Sequence, residues 1–131
     1  MFKAIIASML VMGATLPVSQ PALAAVVQTQ ETFDLFASGS APTFKFEAYY
    51  HEELINGSFG QKFLVYAHGE PNSGHSVSLN GVAFAKLRID KMGNGQLFLS
   101  SDGGSDDGYF LPKMRPGDIL IIGPVKARFS K

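Results

Sequence analysis

The side chains of this 131-residue chain that most readily do chemistry are three histidines and a small set of carboxylates. Glu52 and Glu53 directly follow one histidine, and Glu70 lies two residues after another. Zinc and copper sites need three or four such ligands to converge, usually from closely spaced pairs. The histidines lack that pairing, so metal binding is an alternative function and not the main prediction. The three are His51, His68 and His75.

An acidic, glycine-rich stretch at residues 102–108 is the one candidate cation site. It carries Asp102, Asp106 and Asp107, and carboxylate oxygens on a glycine-rich loop suit Ca²⁺. Residues 90–101 resemble a calcium loop less well. Met92 stands where a second oxygen ligand should sit, and Ser101 occupies the closing position that needs a glutamate. The sequence indicates no other cofactor.

Nucleophilic catalysis has little support in the sequence. The chain has no cysteine, and no serine lies in a G-x-S-x-G motif. The pairs Glu52-Glu53 and Asp106-Asp107 fall in predicted loops, and carboxylates adjacent in sequence rarely converge on one substrate. An enzyme is therefore not the prediction, and a small hydrolase ranks third among the functions considered.

Alternating apolar and polar residues must position these groups, because no helical period persists along the mature chain. About eight short strands with frequent turn signals predict an all-β, single-domain antiparallel β-sandwich, with a small β-barrel as the alternative. Residues 26–36, 43–50 and 61–68 are the first three predicted strands. Residues 38–42 and 51–60 are predicted as loops, the second with the turn dipeptide Asn56-Gly57 near its middle.

Residues 75–101 predict a three-stranded meander. Asn80-Gly81 suits a two-residue hairpin turn that pairs Leu79 with Val82 and Val77 with Phe84. The apolar residues then change sides, which predicts a β-bulge near Ala85-Lys86. A glycine-containing turn near residue 93 should bring the third strand back, with Ile89 opposite Leu97 and Leu87 opposite Leu99.

The strand patterns predict a core and one exposed face. Pro116-Gly117 predicts a type II turn before residues 119–122, which read as a strand buried on both faces. A hairpin pairing Tyr50 with Gln61 would put four candidate binding residues on the outer face, and tyrosine suits stacking on sugars or anchoring a partner. Those four are Tyr49, Leu64, Tyr66 and His68. The predicted core contains Phe44, Phe46, Phe63, Val65, Leu97, Leu99, Ile119, Ile121 and Phe129.

The first 24 residues match a secretory signal peptide. Lys3 precedes an apolar run at residues 4–16, and Pro17 ends that run. Ala22-Leu23-Ala24 matches the A-x-A pattern of a signal-peptidase cleavage site. The run is shorter than the roughly 20 residues of a membrane-spanning helix. Residues 1–24 are therefore predicted to be cleaved, which leaves residues 25–131 as one all-β domain that does not span the membrane.

Composition and charge narrow the partners without naming one. The chain has 11 basic and 11 acidic residues, dispersed with no basic stripe, so nucleic-acid binding is not expected. An exported domain without cysteines fits a bacterial protein that is secreted or periplasmic. The predicted function is a cell-envelope binding or structural module with an unidentified envelope ligand or protein partner, and with self-association as an option. A periplasmic metal-binding protein is the alternative.

Overall fold

The computed structural model describes residues 3–10, 26–101 and 110–131, and over these ranges the chain forms antiparallel strands. These ranges contain no helix long and apolar enough to cross a membrane. The predicted cleavage site after Ala24 and the acidic loop with Asp102, Asp106 and Asp107 lie outside the described residues. The strands are β1 (Lys3–Leu10), β2 (Val26–Ala41), β3 (Phe44–Ile55), β4 (Ser58–Gly69), β5 (Gly74–Leu79), β6 (Val82–Arg88), β7 (Asn94–Ser100), β8 (Ile119–Ile122) and β9 (Val125–Arg128).

The strands form two sheets that pack face to face as a β-sandwich, which confirms the predicted fold class. The long sheet has the order β1-β2-β3-β4-β7, and the short sheet has the order β6-β5-β8-β9. Single bridges join the sheets at their edges, Phe36 to Ser130 and Ile89 to Gly95, without closing them into a barrel. A glycine lies at each of the two places where the sheets come together, because a larger residue would clash there. A Cβ on Gly39 would lie 2.5 Å from Val125 Cγ1, and one on Gly95 would lie 2.6 Å from Ile89 Cδ1.

The inward residues of both sheets form one core, as alternation along the strands predicts. Phe44, Phe46, Phe63, Val65, Leu99 and Phe129 are buried as predicted, and Leu97 packs half-buried against them. The prediction for Ile119 and Ile121 is wrong, because Leu120 and Ile122 are the buried pair on β8. Four consecutive apolar residues do not show which side faces in. The partner strand does, since Leu120 pairs with Ala127 and Ile122 with Val125.

The β3–β4 hairpin is longer than predicted. Residues 51–60 are not a loop, because the strands continue to a two-residue turn at Asn56-Gly57, where both residues have positive φ. The pairing is therefore Tyr50 with Phe63 and not Tyr50 with Gln61. The shift is two residues, an even number, so every side chain keeps its predicted face. Residues 38–41 are likewise strand and not loop, as β2 extends to Ala41.

The predicted meander over residues 75–101 is wrong in its third strand. Leu79 does pair with Val82, but β7 leaves β6 and pairs with β4, placing Leu97 opposite Val65 and Leu99 opposite Phe63. The bulge falls at Phe84, just before the predicted position, so that Val77 pairs with Ala85. It has the predicted effect, because the residues buried beyond it are Leu87 and Ile89.

Part of the predicted signal peptide lies on the sheet. Strand β1 pairs antiparallel with residues 26–32 of β2 and forms the outer edge of the long sheet. On its other side, β2 pairs with β3 from Gln30 to Ala41. The β1 strand is therefore an addition to the edge and is not part of the sandwich core.

Candidate functional site

The four predicted binding residues all lie on the outer face of the long sheet, the face turned away from the short sheet. Tyr49 and Tyr66 are 41% and 47% exposed, His68 is exposed and Leu64 is half-buried. Tyr49 pairs directly with Leu64, and Tyr66 pairs with Glu47. The hairpin register thus places the two tyrosines diagonally on neighbouring strands of one connected surface.

A row of four apolar side chains, three of them aromatic, crosses this face on four adjacent strands, and we call it the aromatic row. In register, Phe36 of β2 lies opposite Tyr49, Tyr49 opposite Leu64, and Leu64 opposite Phe98 of β7. With strands about 4.8 Å apart, the row is about 14 Å long. The rings of Phe36 and Tyr49 are 5.1 Å apart at their centroids and tilted by 51°. A shallow groove of about 330 Å³ follows the row, and its lining also includes Asp34, His51, Lys62 and Lys131.

Two members of this row were missed by sequence reasoning. Phe36 ended a predicted strand with no assigned neighbour, and Phe98 belonged to a strand placed beside β6. Their side chains are 37% and 43% exposed. The alternation in β7 does point Phe98 away from the core residues Leu97 and Leu99, so its outward direction could have been read. The residues beside Phe98 could not be predicted, because they depend on the pairing of β7 with β4.

A polar groove of about 590 Å³ borders the aromatic row. It is lined by Lys45, Glu47, Tyr66 and His68, with serines of β2 at its side. The phenol of Tyr49 donates a hydrogen bond to Glu47 Oε2 at 3.2 Å. Partial burial and the neighbouring Glu47 raise the pKa of Tyr49, so its hydroxyl stays protonated. His68 Nδ1 lies 3.1 Å from Asn94 Oδ1 on β7.

A histidine–carboxylate cluster borders the other side of the row. His51 Nδ1 lies 2.7 Å from Asp34 Oδ1, and its Nε2 lies 3.4 Å from Glu53 Oε2. Burial lowers the pKa of His51, but the hydrogen bonds and charges of the two carboxylates outweigh it and leave that pKa above 6.5. Lys62 is the cross-strand neighbour of His51. The cluster therefore carries a proton-dependent charge beside the aromatic row.

Two observations concern the metal-ligating and nucleophilic groups of the described residues. No three His, Cys, Asp or Glu side chains among them are grouped to hold a metal ion. His75 is close to a serine, with its Nε2 3.1 Å from Ser73 Oγ. That hydroxyl also donates to the Glu70 carbonyl at 2.6 Å, so its proton is directed to the backbone and not to the histidine. The contact closes a turn and does not activate a nucleophile.

Glu52 was predicted to lie in a loop beside Glu53, and this is wrong. Glu52 points inward from β3 and is fully buried, while Glu53 points to the outer face. Glu52 Oε2 accepts a hydrogen bond from the Tyr50 phenol at 2.5 Å and forms an ion pair with Arg115 at 2.6 Å. Gln61 donates to the Tyr50 hydroxyl at 2.9 Å and to the Pro112 carbonyl at 3.2 Å.

This inner network ties the segment around Arg115 to β3 and β4. Burial, and then the hydrogen bond to Glu52, raise the pKa of Tyr50 far above its ordinary value. The hydrogen bond to Glu52 also raises the pKa of Arg115. Glu52 Oε1 is buried without a hydrogen-bond partner among the described residues. Tyr50 and Glu52 are too deeply buried to meet a ligand, so the network positions chain segments and stabilises the fold.

The outer face therefore offers exposed aromatic rings together with hydrogen-bonding and charged groups. Its residues come from four strands of one sheet, which fixes their spacing. No protein-family model, curated protein or solved structure matches this chain.

Proposed function

We propose that this protein is an exported bacterial cell-envelope module that binds a polysaccharide on the outer face of its long sheet. The single observation that carries the proposal is the exposed aromatic row from Phe36 to Phe98, bordered by a polar groove. Large contiguous exposed apolar patches, especially those rimmed by polar residues, mark interaction sites or ligand-binding grooves. Here the patch is built on rigid strands.

Sugar rings need both kinds of surface that this face offers. A pyranose has an apolar face of C–H groups that packs against aromatic rings, and hydroxyls around its edge that need hydrogen-bond partners. Tyr49 and Tyr66 offer rings with polar tips. Lys45, Glu47 and His68 supply donors and acceptors within the polar groove next to them. The tilt between the rings of Phe36 and Tyr49 suits a single flexible chain better than a flat crystalline surface.

The rigid setting of these residues supports binding. The aromatic row occupies paired positions in the middle of β2, β3, β4 and β7, so little ordering is needed when a ligand arrives. Preorganised side chains lose less conformational entropy on binding than side chains on mobile loops. The hydrogen bond from Tyr49 to Glu47 further fixes one ring of the row.

The export part of the proposal rests on the leader pattern of residues 1–24 and on the absence of cysteine. It places the mature protein in the periplasm or outside the cell, where envelope polysaccharides are found. Amino-terminal sequencing of protein recovered from the exported fraction should return Ala25. A sequence starting at Met1 in that fraction would contradict export by a cleaved leader.

Ligand binding is tested by co-sedimentation with purified peptidoglycan sacculi that have been treated with protease to remove bound proteins. We expect saturable binding that an excess of soluble glycan strands competes away. Protein that stays in the supernatant at every concentration of sacculi would contradict peptidoglycan as the ligand. Binding that excess soluble glycan leaves unchanged would contradict it too.

A further inference from the structure

The backbone of β2 has one edge that only β1 covers. Thr29 directs its backbone towards the β3–β4 turn, because its N–H donates to Asn56 Oδ1 at 3.3 Å and its carbonyl accepts from Asn56 N at 3.1 Å. Backbone groups of alternate residues in a strand point to opposite sides. Gln28, Gln30 and Thr32 therefore direct theirs to the side where β1 lies. We call the backbone of residues 26–32 on that side the β2 edge.

Further along this side of β2, Phe36 is paired with the carboxyl-terminal segment. Phe36 N–H donates to the Ser130 carbonyl at 2.8 Å, and Ser130 N–H donates back to the Phe36 carbonyl at 3.0 Å. The carboxyl-terminal residues thus occupy the far part of β2, while β1 occupies residues 26–32. The sandwich leaves the β2 edge to a segment that does not belong to its core.

The following inference rests on the proposed export, because cleavage after Ala24 would remove β1 and uncover the β2 edge. An uncovered edge presents unpaired N–H and C=O groups, and proteins usually protect such edges with lysine, proline or a covering segment. Residues 26–36 contain no lysine, arginine or proline. Two acidic residues, Glu31 and Asp34, are the only charges in this stretch.

We propose that a second copy of the mature chain takes the place of β1, with the two β2 edges paired antiparallel about Thr29. This register sets Gln28 opposite Gln30 and Val26 opposite Thr32, so every residue that directs its backbone to the edge meets another that does the same. Glu31 lies opposite Val27, which avoids the repulsion of like charges in direct opposition. The paired span is residues 26–32, the same span that β1 covers.

The symmetry of this pairing gives it a consequence for ligand binding. Two antiparallel edge strands are related by a twofold axis perpendicular to the sheet, so the two long sheets become one continuous sheet. Both outer faces then lie on the same side, and two aromatic rows face one direction. A polysaccharide long enough to reach both rows would bind by two sites at once, with higher avidity than one site provides.

Cutting a folded chain tests this association independently of export. A site for a specific protease replaces residues 22–24 in the full chain, and sedimentation velocity gives the mass before and after the cut. The uncut chain should be a monomer, and the cut chain should release the leader and become a dimer. A cut chain that stays monomeric, or that keeps its leader bound, would overturn the proposal while leaving export and glycan binding untouched.

Two substitutions locate the interface in the cut protein. Gln28→Pro removes an edge-facing N–H outside the span paired with β3, so the cut variant should stay folded and monomeric. Thr29→Cys adds the only thiol in the chain at the twofold axis, where facing Cα atoms are about 4.5 Å apart. Oxidation should then link two chains by a disulfide.

Gln30→Cys is the matched control for the crosslink. In the proposed register the two copies of residue 30 are offset by two residues along the strands, which separates their Cα atoms by more than about 7 Å and prevents a disulfide. We expect dimer-linked product for Thr29→Cys and none for Gln30→Cys. Equal crosslinking of both variants, crosslinking of neither, or a dimeric Gln28→Pro variant would contradict this interface.

Discussion

Tyr49 and Tyr50 are adjacent on β3 and have opposite surroundings. Tyr49 points to the outer face, where it is 41% exposed and hydrogen-bonds Glu47, while Tyr50 points inward, where it is 1% exposed and hydrogen-bonds buried Glu52. The same alternation separates exposed Glu47 from the inner network. One strand therefore carries a candidate ligand surface and a stabilising network on its two sides. Substitutions on the two sides should have separable effects, on binding for one and on stability for the other.

The largest difference between the two sides should come from matched phenylalanines. Phe46 is 2% exposed in the core, whereas Phe98 is 43% exposed on the outer face. Phe46→Ala removes a buried ring and leaves a cavity, which should cost about 3–5 kcal/mol of unfolding free energy. Phe98→Ala should cost less than about 1 kcal/mol. Urea unfolding of both variants measures this, and similar losses would contradict the assignment of faces.

The next largest effect should come from the ion pair of the inner network. Arg115→Ala leaves the Glu52 carboxyl group buried without its charged partner, which should cost about 3 kcal/mol. This is at the lower end for buried pairs because the Arg115 side chain is itself 42% exposed. Adding Glu52→Gln to Arg115→Ala should recover part of the loss, since the buried charge is gone. Urea melts in which the double variant is no more stable than Arg115→Ala would contradict this explanation.

The two sides of β3 can also be compared through the hydroxyl groups of Tyr49 and Tyr50. Tyr50→Phe removes the donor to Glu52 and the acceptor for Gln61, and a buried hydrogen bond to a charged group contributes about 1.5–3 kcal/mol. Tyr49→Phe removes a hydrogen bond on an exposed surface and should change the unfolding free energy by less than about 0.5 kcal/mol. Equal losses for the two variants in urea melts would show that the two sides do not differ as described.

The smallest expected effect is a pH dependence on the outer face. The folded-state pKa of His51 is raised above 6.5. The stability that its protonated form contributes is therefore fully present below pH 6.5 and is lost as pH rises through the folded pKa. Asp34 and Glu53 contact its ring, Lys62 is its cross-strand neighbour, and Lys131 lines the same groove. The wild-type protein should therefore lose about 0.2–1 kcal/mol relative to His51→Gln between about pH 5.5 and 8.5. A wild-type protein that gains stability over this range, relative to the variant, would contradict the direction of the shift.

Local patterns in the sequence predicted most of the strands and their faces. Alternation placed Phe44 and Phe46 inside and Tyr49 outside, and the dipeptides Asn56-Gly57 and Asn80-Gly81 did form turns with positive φ. The face of the β3–β4 hairpin survived an error of two residues in register, since an even shift preserves sides. Those features depend on residues close together in the chain.

Features that depend on distant pairing could not be predicted. Strand β7 could pair with β6 or with β4 on its apolar pattern alone, and its choice of β4 is what brings Phe98 to the end of the aromatic row. The burial of Glu52 depends on Arg115, which lies 63 residues later in the chain and supplies the opposite charge. A glutamate between two polar residues gives no local sign of that partner.

The most direct test of the account measures binding and stability together for Tyr66→Ala. Tyr66 is 47% exposed beside the polar groove, so its removal should weaken binding to protease-treated sacculi by about tenfold while lowering unfolding free energy by less than about 1 kcal/mol. Val82→Ala, an exposed change on the short sheet, should leave both unchanged. Undiminished binding by a folded Tyr66→Ala variant would contradict the central claim that the outer face is the ligand surface.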